Sequence, residues 1–139
     1  MELLSTPGFR RMERAVDASV LRQKVIANNI ANVDTPNFKR SDVLFEEYLR
    51  QELEAVKKPS FTAFATHPNH IPIGTVGSGR PAQPRIVTDE TSAMNNNRNN
   101  VDIDYEMALM AKNQLYYNAL IEQINYDIKH LRTAIGGRS

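Results

Sequence analysis

The chain has 139 residues, with 17 Lys and Arg against 16 Asp and Glu, and a formal net charge of +1. This near balance argues against binding nucleic acid or an anionic membrane mainly through charge, since both require an excess of clustered basic residues. The absence of Cys excludes disulfides, thiolate nucleophiles and cysteine-based zinc sites, and no apolar run has the length of a secretory signal or a membrane span.

The first predicted helix begins at Thr6-Pro7, where the hydroxyl can cap the helix and the proline suits its first turn. Apolar residues then recur at alternating spacings of three and four, which is typical of a helix that packs along a coiled-coil-like seam. We expect the helix to end near Asn32, because residues 34–37 have the composition of a turn. The predicted seam of this helix contains Phe9, Met12, Val16, Ile26 and Ile30.

The middle of the chain is predicted to be irregular. A shorter second helix is expected over residues 42–57, but residues 59–84 then contain five of the seven prolines and three of the six glycines, a density that helices do not tolerate. Residues 58–100 are therefore predicted to form a mobile connection, with one short extended piece at residues 84–88. An irregular connection of this length is unusual inside a compact domain.

The last predicted helix has the strongest pattern. Apolar residues keep a four-three alternation from Ile103 to Ile135, and a pair of glycines follows. The sequence thus predicts an all-α fold in which the long terminal helices pair, so that residues 1–57 and 101–139 form one helical domain. The predicted seam of the last helix contains Ile103, Met107, Met110, Tyr117, Ile121, Ile124, Ile128, Leu131 and Ile135.

A second row of residues lies about 200° round each terminal helix from the seam. In one interpretation the helix at residues 42–57 covers both rows in a larger bundle. In the other, copies or relatives of the chain pack there, and we favour this one because interfaces are enriched in Tyr and one short helix cannot cover two opposite long rows. The expected assembly face contains Ala18, Leu21, Val25, Tyr105, Leu109, Tyr116 and Tyr126.

Two sequence blocks carry a family resemblance. Residues 26–40, IANNIANVDTPNFKR, closely resemble the signature of bacterial flagellar rod and hook proteins, with Asp34 and Asn37 standing where Asn and Gly are commoner. Residues 99–107, NNVDIDYEM, and the total length are similar to the proximal rod members, the FlgB type. The resemblance implies a non-enzymatic structural subunit of the flagellar basal-body rod, in which the terminal helices pair and subunits stack helically.

The same resemblance implies partners and a location. The implied neighbours are other copies of the chain, other rod proteins, the base adaptor protein FliE and the MS-ring region. The rod of this family crosses the periplasm, and its subunits are exported unfolded through the flagellar type III apparatus without a cleaved signal peptide. No binding to nucleic acid and no direct insertion into a membrane are expected.

The asparagines of the first block also have a physical interpretation. Asn is a poor helix former, so Asn28 and Asn29 near the end of a helix indicate a compensating contact. Their amides both donate and accept hydrogen bonds, and we expect them to contact a neighbouring subunit. Helix termination followed by a turn explains Asn32 and residues 34–36 better. The ring of Phe38 is expected to fold the turn back onto the helices. The predicted motif and contact set is Asn28, Asn29, Asn32, Asp34, Thr35, Pro36, Asn37 and Phe38.

No catalytic, metal or cofactor site is predicted. His67 and His70 are separated by Pro68 and have no further ligand nearby, and the glycines at residues 74–79 lack the strand and helix of a phosphate loop. A second hypothesis comes from another class of protein: a soluble helical adaptor or export chaperone that binds a partner helix through the uncovered row.

Overall fold

The computed structural model describes residues 6–57, 83–91 and 98–137. In chain order these form α1 (Pro7–Ala31), β1 (Ser41–Leu44), α2 (Glu46–Lys57), β2 (Arg85–Thr88) and α3 (Ile103–Gly136). The chain divides into two compact units, one containing residues 1–44 and 84–139 and the other residues 45–83. The predicted all-α class, with long terminal helices that pack together, is confirmed, and the described chain adds a ribbon of two short strands.

The ends of α1 lie where the sequence predicts them. The Thr6 hydroxyl accepts a hydrogen bond from the Phe9 amide at 3.3 Å, which satisfies one of the free donors of the first turn. At the other end the Asn32 amide donates to the carbonyls of Asn28 and Asn29, and the Asn32 side chain donates to the Asn28 carbonyl at 2.8 Å. Asn32 keeps a φ of −109°, so the helix ends without a left-handed residue.

The ends of α3 are also as predicted. Asp102 caps the helix, because its carboxylate accepts from the amides of Asp104 at 3.0 Å and Tyr105 at 3.3 Å. Gly137 ends it with a positive φ of 48°, a conformation that suits glycine. Among the described residues, no helix is both long enough and apolar enough to span a membrane.

The predicted start of the second helix is wrong, because residues 41–44 form β1 and α2 begins only at Glu46. β1 pairs antiparallel with β2, with Ser41 opposite Thr88 and Val43 opposite Ile86. Val43 is buried and β-branched, which favours the strand. The extended piece predicted at residues 84–88 is confirmed as β2. Most of the connection predicted to be mobile, residues 58–82 and 92–97, lies outside the described residues.

The division into units differs from the predicted one. Pairing with β1 places β2 in the same unit as the terminal helices. The predicted division instead assigned residues 84–100 to the connecting segment. α2 falls in the other unit, although residues 45–57 were predicted to belong to the helical domain. The difference arises because strand pairing joins segments that are far apart in sequence.

α1 and α3 pair in antiparallel orientation. Ser19 is hydrogen-bonded to Asn113, and Asn29, ten residues later on α1, is bonded to Glu106, seven residues earlier on α3. All four of these side chains are buried. The packed face therefore combines small, apolar and polar residues. The predicted seam implied mainly large apolar residues there.

Part of the predicted seam is corrected by this arrangement. Four residues of the predicted seam are exposed, namely Ile103, Met107, Ile128 and Ile135. The face of α3 that packs against α1 contains Glu106 and lies to one side of the predicted row. The start of α1 lies beside residues 126–131 of α3. Ile135 lies one helical turn of α3 beyond these residues, past the start of α1. The remaining seam residues are partly or fully buried: Phe9, Met12, Val16, Ile26, Ile30, Met110, Tyr117, Ile121, Ile124 and Leu131.

Candidate assembly site

Asn29 joins α1 to the ribbon and to α3. Its side chain is fully buried, and its Nδ2 donates to the Ser41 carbonyl at 2.8 Å and to Glu106 Oε2 at 3.1 Å. Its Oδ1 accepts from the Ser41 amide at 3.1 Å. Bonding both backbone groups of one residue is what a neighbouring antiparallel strand does, so Asn29 closes the outer edge of β1. The expectation that Asn29 contacts another subunit is wrong, because both amide hydrogens already have partners within the chain.

Arg40 and Glu106 form a partly buried ion pair beside Asn29. The Glu106 side chain is fully buried, whereas that of Arg40 keeps 18% exposure, and Arg40 Nε donates to Glu106 Oε1 at 2.5 Å. The guanidinium also lies 5.2 Å from the centre of the Tyr105 ring and 3.4 Å from the Asp42 carboxylate. Burial alone would lower the pKa of Arg40, but the hydrogen bond and charge of Glu106 outweigh it and raise that pKa above its ordinary value.

Asn99 fastens the turn after α1 to the start of α3. Its buried Nδ2 lies within 2.9 to 3.0 Å of the carbonyl oxygens of Asn32, Val33 and Thr35, to which it donates. Its Oδ1 accepts from the Val101 amide at 2.7 Å. The carbonyls of the turn after α1 thereby gain a partner from a distant part of the chain.

Asn100 makes the corresponding contact with the ribbon. It accepts from the Arg40 amide at 2.6 Å and donates to the Asp89 carbonyl at 3.0 Å, while the Asp89 amide donates to the Arg40 carbonyl at 2.9 Å. The sequence did not predict a role for Asn99 or Asn100, since both fall at the end of the connection predicted to be irregular. The available signal was their position directly before a helix cap. We call Asn29, Arg40, Asn99, Asn100 and Glu106 the polar junction.

The turn after α1 contains the motif residues that remain accessible. Asn37 adopts a positive φ of 60°, which Asn tolerates better than other residues with a side chain and which suits the glycine commoner in the resembling family. Phe38 is partly buried, consistent with a ring that folds back toward the helices. Contact with a neighbouring subunit stays a prediction for the exposed residues Asn28, Asp34, Thr35, Pro36 and Asn37 and for the partly buried Asn32 and Phe38.

Replacing Asn29 with Ala should lower the free energy of unfolding by about 2 kcal/mol, because buried polar groups of Ser41 and Glu106 lose their partners. The matched control is Asn28→Ala, one residue earlier in the same motif. Asn28 is exposed, and its loss should change stability by less than about 0.5 kcal/mol. Urea unfolding followed by circular dichroism measures both, and equal effects would contradict the assignment of Asn29 to an intrachain role.

The outward faces of α3 carry large exposed apolar side chains. Leu115 is 72% exposed, and Met107 and Tyr126 are each 58% exposed. Between Met107 and Ile121 the sequence has a single charged residue, Lys112. A helix that is apolar around its circumference is normally buried on several sides, and eleven of the fifteen residues from Met107 to Ile121 are Ala, Leu, Met, Ile or Tyr. These faces are suited to packing against further helices.

The predicted assembly face is therefore corrected in part. Ala18 and Val25 are buried within the chain, because the packed face of α1 is broad enough to include both rows at this level. Tyr105, Tyr116 and Tyr126 are exposed, as residues of an assembly face must be in an isolated chain. Leu21 and Leu109 are partly buried.

Comparisons with known proteins identify the family. Residues 13–39, which include most of α1 and the turn after it, match the family model described as flagella basal body rod protein. Over 132 residues the chain is 37% identical to the flagellar basal body rod protein FlgB of Bacillus subtilis, and the match covers 93% of each chain. The chain belongs to the FlgB family.

Other FlgB relatives agree. The chain is 39% identical to FlgB of Borreliella burgdorferi over 107 residues, which cover 77% of this chain and 79% of that protein. It is 29% identical to FlgB of Aquifex aeolicus over 132 residues, or 95% of each chain. The chain is thus a structural subunit of the flagellar basal-body rod, and the family resemblance found in the sequence is confirmed.

The residues that the structure describes provide no candidate metal site. No group of three or more His, Asp or Glu residues there has the geometry to hold a metal ion. His67 and His70, the pair considered from the sequence, lie outside the described residues.

Proposed function

We propose that this FlgB-family subunit forms part of the proximal rod and assembles through the outward faces of its terminal helices. The observation that supports this proposal is the middle of α3, where Leu115 and Tyr116 are exposed and charge is almost absent over fifteen residues. Other copies of the chain and the terminal helices of other rod proteins would bury this surface. The apolar area removed from water would then stabilise the rod.

The finer location and partners follow from the family resemblance. We place the subunit at the base of the periplasmic rod, next to the base adaptor protein FliE and the MS-ring region, after export through the flagellar type III apparatus without a cleaved signal. The packed face between α1 and α3 is compatible with export in an unfolded state. Its buried residues include Ala15, Ala18, Ser19 and Asn113, which bury less apolar area than Leu or Ile and make unfolding less costly.

The alternative, a soluble helical adaptor or export chaperone, has no support from the comparisons. The two functions also predict different behaviour in solution. A rod subunit mixed with the other rod proteins should form open-ended assemblies, because identical subunits stack head to tail. An adaptor should stop at a complex of fixed size, and analytical ultracentrifugation separates the two outcomes.

The decisive experiment is removal of the chain from its own bacterium. We expect the deletion strain to be non-motile in soft agar and its basal bodies to lack the rod in electron cryotomography, with both defects restored by the unchanged gene. Complete rods and normal swimming in the deletion strain would overturn the proposal.

A further inference from the structure

The two strands of the ribbon differ in what lies along their outer edges. On β1, both backbone groups of Ser41 are bonded to the Asn29 side chain. The Val43 carbonyl accepts from Arg22 at 3.3 Å, and the Val43 amide donates to the Asp42 carboxylate at 2.7 Å. Side chains therefore occupy the backbone groups that a further strand would need on this side of the ribbon.

The outer edge of β2 is open as far as the structure describes the chain. The Asp89 amide donates to the Arg40 carbonyl at 2.9 Å, which sets the alternation of bonded and non-bonded pairs along the ribbon. In that alternation the backbone groups of Ile86 and Thr88 point away from β1, and none of the described residues bonds them. Ile86 and Val87 are 50% and 44% exposed. β2 is thus an apolar edge of the kind that accepts another strand.

The sequence of β2 is complementary to a second copy of itself. If two β2 strands run antiparallel with Val87 opposite Val87, the outward groups of Ile86 in each copy meet those of Thr88 in the other, and all of them are bonded. The same register sets Arg85 of each copy opposite Asp89 of the other, so that an apolar centre lies between two ion pairs. A shift of two residues in either direction would separate these charges.

We propose that β2 is a self-association edge, at which two copies of the chain pair across a two-fold axis into a four-stranded antiparallel sheet. The strand order is β1-β2-β2-β1. The sheet ends there, because Asn29 and Arg22 close the outer edge of each β1. The product is a closed dimer, whereas the subunits of a rod stack head to tail. The contact therefore concerns chains outside the rod and does not depend on the proposed role of α3.

Disulfide trapping of the isolated full chain tests this pairing. The chain has no Cys, so Val87→Cys introduces its only thiol, and added oxidised glutathione takes up the two electrons and two protons released when two thiols join. In the proposed register the two Cβ atoms lie about 5 Å apart, close to disulfide geometry. The matched control is Ile86→Cys, which is similarly exposed but would hold its Cβ atoms about 7 to 8 Å apart. Val87→Cys should form a covalent dimer at least about tenfold faster.

Charge variants of the Val87→Cys chain test the register. Adding Arg85→Glu sets like charges opposite each other at both ends of the contact and should slow trapping at least about fivefold, and Asp89→Lys should do the same. Mixing the two variants should restore the rate, because a dimer with one copy of each again sets opposite charges together at both ends. Circular dichroism checks that each variant is folded. Asp89 also accepts from Thr91, so Arg85→Glu alone decides the question if the Asp89 variant unfolds.

The proposal is overturned if Val87→Cys and Ile86→Cys are trapped at equal rates, or if Arg85→Glu leaves the rate unchanged. It is also overturned if Val87→Cys yields no covalent dimer, since something other than β2 of a second copy would then cover this edge. None of these results depends on rod assembly. A failure of the dimer proposal is therefore distinguishable from a failure of the rod proposal, which the deletion strain tests.

Discussion

Replacing Arg40 with Met should lower the free energy of unfolding by about 3 kcal/mol, as expected when one partner of a buried ion pair is removed. Glu106 has no exposed surface, and it would lose its charged partner while the hydrogen bond from Asn29 remains. Met retains much of the volume of the Arg side chain, so the loss reports mainly on the charge. The 18% exposure of Arg40 places the expected value at the lower end of the range for buried pairs.

The control is the same substitution at Arg50, which pairs with Glu47 on α2 at 2.8 Å. Both side chains of that pair are more than half exposed, and water screens their attraction. Arg50→Met should leave the urea midpoint nearly unchanged. If the Arg40 variant were equally stable, the ion pair would not hold the ribbon to the helices, and the proposed importance of the polar junction would be wrong.

A double variant separates the pair from its surroundings. Changing Arg40 and Glu106 together to Met removes both charges, so no ion remains buried without a partner. Stability should recover part of the loss seen with Arg40→Met alone. Recovery would be incomplete, because Asn29 loses its acceptor on Glu106. A larger loss in the double variant than in the single one would contradict this account.

The terminal helices could be predicted because their signals are local. The Thr6 cap, the turn after Asn32 and the final glycines each act within one or two turns of the helix end that they define. The repeating apolar spacing then identifies the length between the ends. No distant contact is needed to specify these features.

The polar junction could not be predicted for the opposite reason. Asn29 and Glu106 are 77 residues apart in sequence, and the sequence alone does not show that they meet. Asn28 and Asn29 have the same side chain and differ by about 100° around α1. The position of β1 decides which of them is buried. β1 itself was missed because its partner strand begins more than forty residues later in the chain.

The seam was predicted at nearly the correct face because large apolar residues dominate periodicity. The face that packs against α1 instead includes Asn113 and Glu106, which a hydrophobic pattern counts as outward. The large residues left exposed on α3, such as Ile103 and Met107, still contribute to the periodic signal. The apparent error thus has a physical cause, because one helix carries both an intrachain face and apolar faces that the chain leaves open.

Leu115→Asp should abolish rod assembly and swimming while leaving the isolated chain folded. Leu115 is 72% exposed, so its replacement removes little packing within the chain, and the melting temperature should change by no more than a few degrees. In the assembled rod the carboxylate would be buried against a neighbouring helix without a partner, which is strongly unfavourable at every copy. Soft-agar swimming and cryotomography of the complemented deletion strain measure assembly, and circular dichroism measures folding.

Asn118→Asp provides the matched control, because it introduces the same carboxylate one turn away at an exposed polar position. A smaller defect is expected there, since a polar position in an interface retains water or hydrogen-bonding partners. Together with Arg40→Met the variants separate two requirements: loss of the polar junction should reduce stability first, whereas Leu115→Asp should stop assembly with stability intact. Normal swimming with Leu115→Asp would mean that the middle of α3 faces water in the rod, and the assembly face would then have to lie elsewhere on the terminal helices.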